Sequence, residues 1–152
     1  MSFSKNIEQT PGLEGKLHEG MQALKKLDRD KIAPGAAKLA GSVDIDGALR
    51  SLHPTEARWD YLIGQLAGTK KTLALWIEVH SADGEHTIKE VQAKHAWLLK
   101  WKATSPLREH ESRYYWIASG KCSFNQRAPQ IKRLSMHGIR FCGSHLKLDS
   151  IP

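Results

Sequence analysis

Two stretches of apolar residues interrupted by single polar ones stand out: Trp59-Asp60-Tyr61-Leu62-Ile63-Gly64 and Leu73-Ala74-Leu75-Trp76-Ile77-Glu78-Val79-His80. Both are rich in aromatic and branched side chains. Gly68-Thr69-Lys70-Lys71 between them has turn chemistry, so the pattern predicts a β-hairpin. Period-two alternation places Leu73, Leu75, Ile77 and Val79 on one face of the second strand, and Ala74, Trp76, Glu78 and His80 on the other. The first face is expected to be core, and the second to turn polar towards its end. Antiparallel pairing about Thr69 sets Asp60 directly across from Glu78. Facing Cβ atoms lie about 4.5–5.5 Å apart and like charges there repel, so the pair calls for a counter-charge. A divalent cation would supply it. A plainer reading leaves both acids solvated at strand ends, paired with Arg58 or a lysine.

The flanking patterns extend the hairpin into an α/β domain. Residues 1–12 carry few apolar groups and end on Pro11-Gly12, which reads as a flexible tail before a single domain over 13–152. Leu13, Leu17, Met21, Leu24 and Leu27 recur at helical spacing, with Glu14 and Glu19 on the same helix able to aim a carboxylate at a neighbouring site. Ser42 to Leu49 alternates as a first strand, with Asp44 and Asp46 sharing a face. His53-Pro54-Thr55-Glu56 then turns the chain into the hairpin, giving a three-stranded antiparallel meander. Thr87 to Lys102 reads as a helix, with Thr87 and Glu90 spaced as a capping box and Ile88, Val91, His95 and Leu98 as its buried stripe. Trp97, Leu99 and Trp101 fall off that stripe, where tryptophans stack on bases or pack under loops. Arg113 to Ser119 is a strand that a crossover lays parallel to the meander. Pro129 to His137, closed by Gly138, is a short basic helix, and Ile139 to Leu148 supplies a last strand.

Charge narrows the partner. A formal charge of +7 and a pI near 9.5 favour a polyanion such as nucleic acid; charge does not separate DNA from RNA, and DNA is the expected partner ahead of RNA. Cys122 and Cys142 lie far apart and form no CxxC, which argues against a disulfide framework or a ribbon-type zinc site. Cys122, His137, Cys142 and His145 together are the one soft-ligand alternative, a structural zinc site. The chain has no secretory-type apolar segment and no run of transmembrane length, so the expectation is a cytoplasmic protein with no membrane partner.

Helix, three-stranded meander, helix and strand, followed by an extra helix and strand, resembles the αβββαβ core of the PD-(D/E)XK nuclease superfamily over roughly residues 13 to 148. In that superfamily an aspartate opens the second core strand and E-x-K follows on the third. Asp60 matches the first, and Glu78-Val79-His80 matches the second with histidine in place of lysine. The resemblance implies a restriction-endonuclease-like α/β fold, a central mixed sheet flanked by helices. It also implies phosphodiester hydrolysis assisted by Mg²⁺ or Mn²⁺, held by Asp60, Glu78 and the Val79 carbonyl. Hard cations prefer such oxygens, lower the pKa of water and offset charge building up on phosphate. An unperturbed imidazole is mostly neutral at pH 7, so His80 replaces the lysine only in part; it could orient a water or coordinate a softer metal. Superfamily members move the lysine between elements, and Lys94 on the following helix is the expected substitute. Arg58, Lys70, Lys71 and Lys121 are the candidate nucleic-acid contacts. A binding module on the same fold, without turnover, is the alternative.

Overall fold

The computed structural model describes residues 2–124 and 127–149. Its centre is an open five-stranded mixed sheet in the order β2-β3-β4-β5-β6. β2 (Leu39–Asp44), β3 (Tyr61–Ala67) and β4 (Lys71–Ala82) form the antiparallel meander. β5 (Ser112–Cys122) and β6 (Ile139–Phe141) extend it in parallel. Helix α4 (Glu85–Ala103) carries the chain from β4 to β5, and α5 (Pro129–Met136) from β5 to β6. The Pro129 to His137 helix and its Gly138 stop are as the sequence predicts, since Gly138 takes φ +87° just past the helix.

Each face of β4 buries its own core. Ala74 and Trp76 join Ile88, Val91, Leu98 and Trp101 of α4, together with buried residues of α1 (Phe3–Glu8), α3 (Ile45–Leu49) and α5. Leu73, Leu75 and Ile77 pack on the opposite side with Tyr61, Ile63, Tyr115, Ile117, Leu146 and Leu148. The alternation is therefore as predicted, but the second face does not become a solvated surface: Glu78 is fully buried.

Several local expectations are corrected. The stretch read as a flexible tail contains α1, capped by the Ser2 hydroxyl and anchored by buried Phe3 and Ile7. Phe3 lies against Gly64 of β3, where a Cβ would meet its ring at 2.6 Å. The leucine-spaced helix over 13–27 does not form. Gly15 and Gly20 take left-handed φ values of 72° and 53°, and His18 bridges instead to Ser42 on the sheet edge. Only the short α2 (Lys26–Arg29) remains helical there. The strand read from Ser42 ends at Asp44, whose carboxylate accepts from the Gly47 N–H and caps α3. Asp44 and Asp46 consequently share no strand face. Thr87 sits inside α4, its hydroxyl donating to the Gly84 carbonyl, so Thr87 and Glu90 are not a capping box. The last strand is split: β6 stays in the main sheet, while β7 (Leu146–Lys147) pairs in parallel with β1 (Ile32–Ala33) in a separate two-stranded sheet.

Candidate functional site

The β3/β4 register pairs Tyr61 with Ile77 and Ala67 with Lys71, which centres the hairpin on Thr69. One step beyond Tyr61 brings Asp60 level with Glu78. Side chains replace ladder bonds here: Glu78 Oε1 accepts from the Asp60 N–H at 3.1 Å, and Asp60 Oδ2 accepts from the Val79 N–H at 2.9 Å. The Asp60 carbonyl receives the N–H groups of Ile45 and Asp46, which ties this strand end to the start of α3. Trp116, opposite Glu78 on β5, donates its indole N–H to the His80 carbonyl at 3.0 Å. Each carboxylate is thus held by a backbone N–H from the neighbouring chain segment, that of Asp60 for Glu78 and that of Val79 for Asp60.

The counter-charge comes from α4. Lys94 Nζ donates to Glu78 Oε2 at 2.6 Å and lies 3.9 Å from Asp60 Oδ1. Burial alone would lower the Lys94 pKa, but the two carboxylates outweigh it and hold the ammonium above the ordinary lysine value. One ammonium does not balance two acids. Burial first, then the Glu78 charge, pushes Asp60 up to about 7 even with Lys94 in place. His80 completes the cluster: Nδ1 is 3.4 Å from Glu78 Oε2 and Nε2 is 3.0 Å from Glu90 Oε2. Its contact with Glu78 raises the imidazole pKa against the opposing effect of burial.

Asp60, Glu78, Val79, His80 and Lys94 are therefore brought together, but not as a cleft lined by solvated acids. Glu78 is buried beneath α4, and Lys94 occupies the space between the carboxylates. Among the described residues, no group of three or more His, Cys, Asp or Glu side chains stands ready to hold a metal. The donor chemistry nevertheless fits a hard divalent cation. Asp60 and Glu78 supply oxygen donors of the kind such a cation prefers, and Mg²⁺ commonly uses only one or two protein carboxylates beside water and substrate oxygens, but in this structure Lys94 holds the position between them.

The nucleic-acid candidates divide. Arg58 is nearby but committed, donating to Asp46 Oδ1 at 3.0 Å and to the His53 carbonyl. Lys70 and Lys71 sit at the opposite end of the hairpin. Glu78 lies seven residue steps along β4 from Lys71, about 23 Å at strand rise, and Lys71 pairs with Glu111. Lys121 is exposed near the end of β5, five residues past Trp116. The zinc alternative is not assembled: Cys122 bonds the Phe124 carbonyl, Cys142 the Arg140 carbonyl, and His145 the Ser144 hydroxyl. Glu14 accepts from the Gly12 N–H in a local turn, away from these acids. Glu90 was missed by the sequence reading, which assigned it to a cap. Its signal was the i, i+4 spacing to Lys94, which puts both on one helix flank.

No protein-family model, curated protein or solved structure matches this chain. Among the described residues, no helix is long and apolar enough to cross a membrane.

Proposed function

We propose that this protein is a divalent-metal-dependent nuclease of restriction-endonuclease-like architecture, acting on nucleic acid in the cytoplasm. The observation that carries the reading is Lys94. The lysine absent from position 80 is supplied by α4, 2.6 Å from Glu78 and 3.9 Å from Asp60. In this reading Asp60, Glu78 and the Val79 carbonyl hold Mg²⁺ or Mn²⁺. A cation held there would acidify a water and offset charge on the phosphate. Lys94 remains protonated across neutral pH, and its ammonium offsets charge on the nucleophile and on a non-bridging phosphate oxygen. Asp60, with its pKa near 7, is the ligand whose ionisation gates cation entry.

The Lys94–Glu78 ion pair also favours a second reading. A lysine that neutralises the buried acid permanently would leave a nucleic-acid-binding or protein-binding module without turnover. Cleavage assays with Mg²⁺ and Mn²⁺ on single-stranded, duplex and branched substrates separate the two. Cation-dependent cleavage lost in Asp60→Ala supports the nuclease, whereas metal-independent retention of uncut nucleic acid supports the module.

A further inference from the structure

Helix α4 has two flanks of different chemistry. Residues three and four apart share one side of a helix, so Glu90 and Lys94 line the flank towards the two acids, while Lys89, Gln92, Ala96 and Leu99 line the opposite one. Across from this second flank, Gln130, Arg133 and His137 form a ridge along α5 and its C-cap. Between the ridges lie two cavities of about 300 and 280 Å³, which share Gln92 and His137 and so make one groove. Lys89 and Arg133 line its first half, and neither side chain makes a hydrogen bond or ion pair among the described residues. Arg58 and Lys71, by contrast, are already committed. Glu85 is the one acid among the described residues lining this half. The second half is apolar, formed by Ala96, Ile139 and Leu99, which is 42% exposed. His95 also lines it, with only 7% of its surface exposed and its Nε2 without a hydrogen-bond partner. Tyr114 holds the ring edge-on at 4.7 Å. Burial first, then Lys102 and His137, lower the His95 pKa, so the imidazole is neutral at pH 7. Buried polar atoms normally have partners, and this nitrogen calls for a polar group rather than an alkyl chain.

We propose that this groove binds a nucleoside monophosphate, with the phosphate between Lys89 and Arg133 and the base against Leu99, Ile139 and His95. The uncommitted cations suit a phosphate: arginine offers a planar fork to two of its oxygens, and lysine a point charge. A base is apolar on its faces and carries both donors and acceptors on its edge. It therefore covers the leucine and isoleucine and can meet the His95 nitrogen in either tautomer. An alkyl phosphate would cover the same apolar surface and leave that nitrogen unmet. Because the groove and the acids lie on opposite flanks of α4, the assignment does not depend on a cation at Asp60 and Glu78.

The test is calorimetric titration of the full chain, without divalent ions, using AMP, GMP, CMP and UMP as probes. The nucleoside of the tightest one, inorganic phosphate and hexyl phosphate serve as comparisons. At least one nucleotide should bind with a Kd below about 1 mM, and at least about tenfold more tightly than any of the three comparisons. Arg133→Met and Lys89→Met, both at exposed positions, should each weaken the nucleotide by about 5–10-fold and leave the nucleoside unchanged. Leu99→Asp, also exposed, should weaken nucleotide and nucleoside alike. His95→Phe keeps an aromatic ring but no nitrogen, and should remove the margin over hexyl phosphate. Three results overturn the proposal: no nucleotide bound in the millimolar range, hexyl phosphate or inorganic phosphate bound as tightly as the best nucleotide, or nucleotide binding unchanged in Arg133→Met and Leu99→Asp variants that melt like the wild type.

Discussion

Lys94 is the countercharge the structure places between the two acids, and in the nuclease reading it competes with any cation that joins them. Removing one partner of a buried ion pair typically costs about 3–5 kcal/mol; Lys94 is partly exposed, so Lys94→Met should cost less than that range. The variant should melt below the wild type without divalent ions, gain more from added Mn²⁺ than the wild type does, and lose cleavage by about 10²–10³-fold as the stabilising charge disappears. Calorimetric melts with and without Mn²⁺, beside a cleavage assay, check all three. Asp60 gives a pH test. Its folded pKa of about 7 lies above the unfolded value, so the folded state binds its proton more tightly. That contribution to stability is fully present below about pH 4 and is lost as pH rises through about 7. Asp60→Asn, which can still accept from the Val79 N–H, should therefore gain on the wild type between pH 5 and pH 8 when the two are compared by denaturant melts. A stability difference that stays flat over that interval would contradict the assigned environment. In the nuclease reading the same sign predicts that cation binding by the wild type tightens across neutrality, because a cation would need Asp60 ionised.

At the scale of elements, what was legible was what repeats. The hairpin alternation and a turn centred on Thr69 gave the register of β3 and β4, and with it the meeting of Asp60 and Glu78. The apolar stripe of Ile88, Val91, His95 and Leu98 identified the buried face of α4. Illegible were the segments whose conformation is decided by contact rather than period. Leu13 and Leu24 are buried as predicted, yet by turns through left-handed glycines, because the chain there joins the β2 edge through His18. Phe3 and Ile7 are too few to announce a helix, and α1 owes its place to the surface that Gly64 leaves open. Ile7→Ala should accordingly cost about 2–5 kcal/mol by denaturant unfolding, as for any buried branched side chain. A loss below about 1 kcal/mol would return the first residues to the status of a tail. At the site, the hairpin arithmetic located the two carboxylates, whereas Glu90 depends on how α4 is rotated against the sheet, which spacing alone leaves open.

Across the whole molecule, the basic excess and the acidic cluster make opposite demands on a polyanion. A net charge of +7 attracts nucleic acid, while two carboxylates at the site repel phosphate unless a cation and Lys94 neutralise them. Binding should therefore weaken steeply with salt, by orders of magnitude between about 50 and 200 mM if several phosphates are contacted, and filter or fluorescence titrations measure the slope. The separation of Lys70 and Lys71 from the acids means that their loss should change affinity before it changes the rate of a bound substrate. The measurement that bears most directly on the reading is the single-turnover cleavage rate of a labelled nucleic acid, taken for the wild type and Asp60→Asn, with Mn²⁺ present and after chelation. Cleavage by the wild type that stops on chelation, and that falls to background in a folded Asp60→Asn, is the expected result. A rate that survives chelation, or that Asp60→Asn sustains undiminished, would contradict a cation-dependent nuclease site at Asp60 and Glu78.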